Sequence, residues 1–554
     1  MHASRRTSKT LSLALTLGLL LSIQSAALAC TSILVGKKAT VDGSVMTSHT
    51  VDGWYDQRVV VVPGKTFPAG STAPVYKNLC YQTKPTAPLQ KVGEIPQVAQ
   101  TYTYFHSGYP FMNEHQLMIG ETTIDGREEC VNETGWFTIE QLEVFALQRA
   151  KTAREAIKIM GALAEQYGYG DYGEALTLAD TQEAWLFEIV GPGPLWKPGS
   201  GKPGAHWVAV RVPDDSVTVS TNTSRIGEVN PADPDHFLAS TNLTDFAKEQ
   251  GWWKPGTTFS FKKAYGENPY PRLFNQKRRL WRVYSTLAPS QKFDPAQDPR
   301  NTDYPLFVKP EKKLSVRDIM AILRDHYEGT PYDLTKGLAA DPFGTPDRWK
   351  TPASLAPKGY ENTEWERAIS IFRCSYSFVS QSRSWLPDPV GGVAWVGMDA
   401  PHSTVYLPFY CGNTSTPKCI AEGKRAEFDR DSAFWAFQFV SNWANLRWDA
   451  MMKDIRAAQK GYEDDAFLNQ PSIEKQAADL YKKNPAEAVK LLTDYSNANA
   501  TKVVEGWWKL GWTLVGKYHD GYITEPGGKQ TSPGYPTEWL KKVGFGETML
   551  QPKN

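Results

Sequence analysis

The chain has 554 residues, with 61 Lys and Arg against 60 Asp and Glu, nine His and six Cys, a length that suits about three or four domains, or one large domain with an extension. A formal charge of +1 lacks the basic excess of a general nucleic-acid or polyanion binder. Hydrophobic content of 41% with 22% charged residues excludes a mostly disordered chain, and six Cys are too few for a disulfide scaffold.

The amino terminus has the form of a secretory signal peptide. Arg5, Arg6 and Lys9 precede an apolar run at 11–23, and Ala27, Leu28 and Ala29 form a small-residue cleavage site. The run is shorter than the roughly 20 residues that span a bilayer, so the mature protein is expected to be exported, periplasmic or secreted, with no membrane segment after cleavage. Arg5-Arg6 lacks the downstream apolar residue of a twin-arginine signal. Cutting after Ala29 leaves 525 residues that begin with Cys30, carrying 58 basic against 60 acidic groups.

A Cys at that place has three readings. A lipoprotein signal wants a large aliphatic residue three before the Cys, whereas Leu28 stands two before it. A free α-amine beside a thiol puts nucleophile and base in one residue, both titrating near neutral pH. The third reading is an incidental Cys. On these residues alone all three stay open.

Further along, 31–35 is β-rich, Val41-Asp42-Gly43 is a hairpin turn signal and 44–48 returns as a second strand. Strand-like runs then alternate with helices such as 139–166, giving an α+β class. A Pro-, Asp- and Lys-rich segment at about 290–365 reads as an insertion, and strand-like runs resume at 369–410. From Asp431 the pattern is helical. Phe434, Trp435, Phe439, Trp443 and Leu446 recur at three or four residues, and a second helical run spans 473–520 with a break near Pro485. The divisions expected are a leader at 1–29, a catalytic domain at 30–425 and a helical extension at 426–554.

No metal motif, Gly-rich phosphate loop or GxSxG elbow is present, so no cofactor or metal is expected. Beyond Cys30, Cys411 and Cys419 enclose a short loop suited to a staple in an oxidising compartment. Cys80 with Cys130 is a weaker pairing, and Cys374 reads as a buried apolar thiol. The Trp252-Trp253 and Trp507-Trp508 pairs read as packing residues rather than a sugar platform. The Gly- and Pro-rich stretch 328–349 reads as an ordered loop near a substrate cleft.

The segment CTSILVGKKATVDGSVMTSHTVDG, together with NEHQLMIGETT (113–123), ALQRAKTAREAIKIMGALAEQYG (146–168), GEALTLADTQEAWLFEI (173–189), STNTSRIGEV (220–229), HYEGTPYDLTKGLAADPFGTPDRW (326–349) and SIFRCSYSFVSQSR (370–383), resembles dipeptidase family C69. These are cysteine amino-terminal-nucleophile (Ntn) hydrolases, related to secernins and distantly to bile salt hydrolase and penicillin V acylase. The resemblance implies a four-layer αββα sandwich with an insertion and a helical carboxy-terminal extension. It also implies thioester chemistry on Cys30 and dipeptides as substrates, and leaves self-association open. N-acyl or conjugated amides are the alternative substrates within the class. A lipid-anchored binding protein without catalysis is the alternative outside it.

The resemblance carries further roles, residue by residue. Asp52 matches a carboxylate that orients the α-amine of Cys30. Three residues before it, where the superfamily has an Arg able to hold a thiolate, stands His49, implied either to take over that thiolate-holding role or to hydrogen-bond substrate. Asn222 matches an amide at the oxyanion. A second oxyanion Asn aligns near Thr122 or Thr123, neither of which carries an amide. Arg279 matches an Arg behind the nucleophile, with Arg278 and Arg282 as register alternatives and a solvated helix face as the plainer reading.

Overall fold

The chain turns back on itself directly after Cys30. In the computed structural model, which describes residues 30–266, 272–349, 353–359 and 365–546, strands β1 (Ser32–Val35) and β2 (Val45–Asp52) pair antiparallel, Leu34 facing Thr47 and Val35 facing Met46. The expected leader, 1–29, lies outside the described residues. At the turn Asp42 Oδ1 accepts from the Ser44 backbone N–H at 3.0 Å and from its hydroxyl at 2.7 Å. Gly43 has φ +85°, a region glycine enters without a Cβ clash.

The other strands of the two large sheets follow in chain order. They are β3 (Val60–Val62), β4 (Tyr104–His106), β5 (Met112–Asn113), β6 (Met118–Asp125), β7 (Gly173–Ala179) and β8 (Ala184–Val190). Then come β9 (His206–Arg211), β10 (Val217–Ser220), β11 (Phe237–Ala239), β12 (Cys374–Ser382), β13 (Val393–Met398) and β14 (Leu407–Tyr410). A six-stranded sheet runs β10-β1-β2-β12-β13-β14, and an eight-stranded sheet runs β11-β9-β8-β7-β6-β5-β4-β3. Mixed helices and antiparallel sheets make the α+β class expected.

β1 and β2 lie against β6 and β7 of the other sheet. Polar side chains as well as apolar ones bridge that seam: Thr47 and Thr177 hydroxyls meet at 2.7 Å, and the Ser32 hydroxyl donates to the Glu121 carbonyl at 2.9 Å. Gly120 permits the approach, because a Cβ there would sit 2.9 Å from the Ser48 carbonyl oxygen.

Helices α1 (Ile139–Arg149) and α2 (Ala153–Tyr167) replace the single helix expected over 139–166. Ala150 is extended, and Asn113 Nδ2 donates to the carbonyls of Leu147 and Ala150 at 2.9 and 2.8 Å. Thr152 then caps α2 by accepting from the Glu155 N–H. α2 packs on β8 and β9. Helix α3 (Arg272–Leu287) lies against β10, and α4 (Val316–Leu323) against β2 and β12. α4 begins with a Ser315/Asp318 capping box. Its Val316, Ile319, Met320 and Leu323 share a core with Ile33, Val35 and Met46. The chain before it is tied in as well, since Leu314 N–H donates to the Ala39 carbonyl at 2.8 Å.

Three helices follow: α5 (Ala433–Ala444), α6 (Trp448–Tyr481) and α7 (Pro485–Lys517). Asn484 caps α7 and Pro485 stands at its start, where a missing N–H leaves no bond unmade. The expected break near Pro485 is therefore present, although α6 reaches back to Trp448 rather than 473. The face of α5 also differs from the expected stripe. Ala436, Phe437, Val440 and Ala444 are buried with Phe434, whereas Leu446 lies past the helix and is 58% exposed. Trp507 and Trp508 are buried, the Trp507 ring 5.1 Å from that of Phe437, in the same core as Val396 and Phe409 of the sheet. Among the described residues no helix is long and apolar enough to cross a membrane.

All six cysteines are free thiols, which corrects the expected Cys411–Cys419 staple and the Cys80–Cys130 pairing. The Cys411 thiol is turned inward and donates to the Asp388 carbonyl at 2.7 Å, while Cys419 sits on a short helix (Lys418–Ala421).

Because α5 and α7 complete a core that the sheet cannot close alone, a chain ending at residue 425 is expected to be recovered insoluble or unfolded by circular dichroism. Trp507→Ala in the full chain is expected to lower stability by about 3–5 kcal/mol in urea denaturation.

Candidate active site

Cys30 is buried at the mouth of β1, 1% exposed, and held by its backbone. Its carbonyl accepts from Arg279 Nη1 at 2.6 Å, and the same nitrogen donates to Thr31 Oγ1 at 2.9 Å. Arg279 Nη2 donates to the Thr221 carbonyl at 3.1 Å and to Asn222 Oδ1 at 2.9 Å. α3 thus delivers one guanidinium between the starts of two chain segments that flank the thiol. The register alternatives lie elsewhere: Arg278 stacks on Tyr332 and pairs with Glu366, and Arg282 pairs with Asp325. Arg279 is 1% exposed, so it is no solvated helix face.

Asn222 has φ +67°, a left-handed conformation that Asn tolerates better than most side chains. Its amide nitrogen donates to the Thr123 carbonyl at 2.8 Å. That contact joins it to the strand where the second oxyanion Asn was sought. The Thr122 hydroxyl is engaged with the Glu121 carbonyl at 2.6 Å and with Ser32 Oγ at 3.1 Å, and the Thr123 hydroxyl donates to Glu121 Oε1 at 3.3 Å.

Asp52 ends β2, fully buried. Its Oδ2 accepts from Thr50 Oγ1 at 3.0 Å and from Arg367 Nη2 at 2.6 Å, while Oδ1 has no hydrogen-bond partner among the described residues. A relay runs back to the nucleophile's neighbour, since Thr31 N–H donates to Thr50 Oγ1 at 3.0 Å. Tyr327, the residue before the Gly- and Pro-rich stretch, donates to the Arg367 carbonyl at 2.5 Å.

His49 is also fully buried, edge-on to Tyr109 and Phe378. The Glu121 backbone N–H donates to Nδ1 at 3.3 Å, which assigns the neutral ring's proton to Nε2, 3.4 Å from Glu121 Oε2. In that tautomer its lone pair is already taken. Cys30 Sγ, an imidazole nitrogen of His49 and a Glu121 carboxylate oxygen all lie within 4.8 Å of one another. A thiolate, an imidazole and a carboxylate form a donor set that a borderline ion such as zinc accepts.

Burial and the carboxylates of Glu121 and Asp52 push the Cys30 thiol well above its usual range, opposed by the Asp52 backbone N–H and Arg367. Burial also raises Asp52, against the pull of Arg367 and Arg373. Arg279 is lowered well below the usual guanidinium range by burial and by Arg367. Desolvation outweighs pairing at each group, so the thiol is neutral until something accepts its proton.

Two residues of this cluster were not singled out in the sequence. Glu121 lies within a motif that carries the family resemblance, on a strand whose apolar start, Met118 and Ile119, gives way to polar residues. Arg367 gives no local signal, because its partner is 315 residues away.

A family model described as peptidase family C69 matches residues 29–461. The chain is 29% identical to a probable dipeptidase of Salmonella dublin over 403 residues, covering 70% of this chain and 81% of the relative. It is 26% identical to a probable dipeptidase of Latilactobacillus sakei over 489 residues, covering 85% and 92%. With dipeptidase A of Lactobacillus helveticus it shares 24% identity over 418 residues, covering 73% and 80%.

Glu121→Gln is expected to lower the pH at which the Cys30 thiol ionises, and Arg367→Gln to raise it. Peptide-resolved iodoacetamide alkylation across pH 6–10 reads both; shifts in the same direction for both variants would contradict these electrostatics.

Proposed function

The chain belongs to peptidase family C69 and is a peptidase, and from that premise we propose that it is an exported dipeptidase whose nucleophile is the Cys30 thiol. Removal of 1–29 would make that residue amino-terminal. The observation that carries the reading is the convergence on Cys30: Arg279 holds its carbonyl and orients Asn222, while Asp52 presents a buried oxygen with no partner among the described residues. Asp52 Oδ1 is the atom assigned to the α-amine released by cleavage. The seam between β1–β2 and β6–β7, with helices on the outer faces, supports a four-layer αββα Ntn sandwich.

In this reading the α-amine of Cys30 takes the thiol proton, directly or through water, and Sγ forms a bond to the scissile carbonyl carbon. The oxyanion is held by backbone N–H groups and the Asn222 amide. As the tetrahedral species collapses, the C–N bond breaks and the α-ammonium returns its proton to the departing amine. Water then attacks the thioester, giving a proton to the same amine, and the thiol is restored as the free acid leaves. His49, whose lone pair is occupied by the Glu121 N–H, serves to position Glu121 rather than as the base.

Intact mass of the exported protein is expected to match a free chain beginning at Cys30. A diacylglyceryl adduct there would consume the sulfur and end the catalytic reading. Cys30→Ala is expected to reduce dipeptide hydrolysis at least about a thousandfold with folding retained. Asp52→Asn is expected to lose roughly a hundredfold or more in rate and to change the pH–rate profile. An unchanged profile would remove Asp52 from the amine-orienting role.

A further inference from the structure

Behind Cys30 lies a group of carboxyls that the chemistry above does not use. Glu121 on β6, Glu143 on α1 and Glu174 on β7 are each at most 2% exposed. Thr123 faces Glu174 across the β6–β7 ladder and donates its hydroxyl to Glu121 Oε1, so the strand carboxyls share one face. Both oxygens of Glu143 have no hydrogen-bond partner among the described residues, whereas the Glu174 and Glu121 carboxyls face each other closely enough to share a proton, and Glu121 Oε2 lies 3.4 Å from His49 Nε2. The neighbouring Glu140 and Asp171 differ. Asp171 accepts from the backbone N–H groups of Ile139 and Tyr172, and Glu140 is met by its own backbone N–H.

Buried carboxyls with open oxygens are unstable unless a cation or a proton meets them. The charges that act on Glu143 and Glu174 are all carboxylates, and both groups are pushed well up by burial and by Glu121. A second kind of group points to the same space. Tyr169 is fully buried, its hydroxyl has no partner among the described residues, and Asp171, Glu174, Glu140 and Glu121 surround it.

We infer that Glu121, Glu143 and Glu174, with the Tyr169 hydroxyl, form the subsite for the free α-ammonium group of the substrate. An ammonium offers three N–H donors and a full charge, which matches three converging carboxyl oxygens. The distance to the nucleophile sets which bond is cut. A Glu121 carboxylate oxygen lies within 4.8 Å of Cys30 Sγ. A substrate's α-nitrogen is about 2.5 Å from the carbonyl carbon of its own residue, and a charged N–H···O contact spans about 2.8 Å. Only the first residue of a peptide fits between carboxylate and sulfur, so the first peptide bond from a free amino end is the one presented. N-acylated amino acids bring no cation and leave the carboxyls unmatched.

This subsite rests on Cys30 as nucleophile only for which bond is cut, so binding and turnover are measured separately. Calorimetry on the mature Cys30→Ala protein uses alanyl-alanine and N-acetyl-alanyl-alanine. At least tenfold tighter binding of the free peptide is expected, and equal affinity overturns the subsite whatever the nucleophile. For the Cys30 enzyme, kcat/KM is expected to favour the free dipeptide at least about a hundredfold. Glu143→Gln, nearly isosteric and checked for folding by circular dichroism, is expected to lower that value at least tenfold through KM and to narrow the preference. Glu174→Gln is expected to behave alike. A folded pair of variants with the preference intact overturns the proposal. So does loss of free-dipeptide turnover in EDTA with recovery on adding calcium, which would make the resident cation a metal.

Discussion

One buried guanidinium holds the site together. Arg279 reaches from α3 to the Cys30 carbonyl, the Thr31 hydroxyl, the Thr221 carbonyl and the Asn222 side chain. These acceptors belong to the start of β1 and to the turn after β10, neighbours in the sheet because Ser32 pairs with Ser220. Without a side chain of that length and fork geometry, the two segments would expose unpaired carbonyls in a dry interior. α3 can place the fork there because its Leu280, Val283 and Tyr284 pack against Ile33, Val217 and Val219, on the sheet face opposite the other sheet. The position of the thiol is therefore set from behind, leaving its other side to the seam between the sheets.

That seam is unusual in carrying charge. Glu121 and His49 are fully buried beside it, and Asp52 is fully buried at the end of β2. Arg367 meets Asp52 directly, whereas Glu121 faces the Nε2 side of His49 and the Thr123 hydroxyl. Burial, reinforced by the carboxylates of Glu121 and Asp52, pushes the Cys30 thiol up, and burial with Glu121 does the same to Glu143. In the function proposed above, the proton acceptor and the substrate would each bring an amine into this setting.

The residues legible in the sequence were those with a local signature. Cys30 stands beside a cleavage site, Asp42-Gly43 makes a turn, and the β-rich runs on either side make the hairpin. Asp52, Asn222 and Arg279 came from the resemblance, and the cluster gathers all three near Cys30. Arg278 and Arg282 could not be separated from Arg279 by sequence, since residues one and three apart on a helix differ only in which face they present. The partner of His49 was not legible either, because Glu121 lies on the opposing sheet. The spacing of Cys411 and Cys419 suited a staple, but loop length says nothing about where two Cβ vectors point. The 139–166 run reads as one helix because its composition stays helical across the break. The break is made by Asn113, a residue from another strand.

By itself the sequence determined the α+β class, the hairpin that follows Cys30, the family, and the candidate nucleophile, all of which depend on neighbours in the chain. Tertiary structure alone decided which arginine holds Cys30, what pairs with Asp52 and His49, and that Glu121, Glu174 and Glu143 of β6, β7 and α1 are all buried. The physical reason is desolvation. An aspartate or arginine acquires its strength as a partner only where water is excluded, and which residues share a water-free space is a property of the packed sheets.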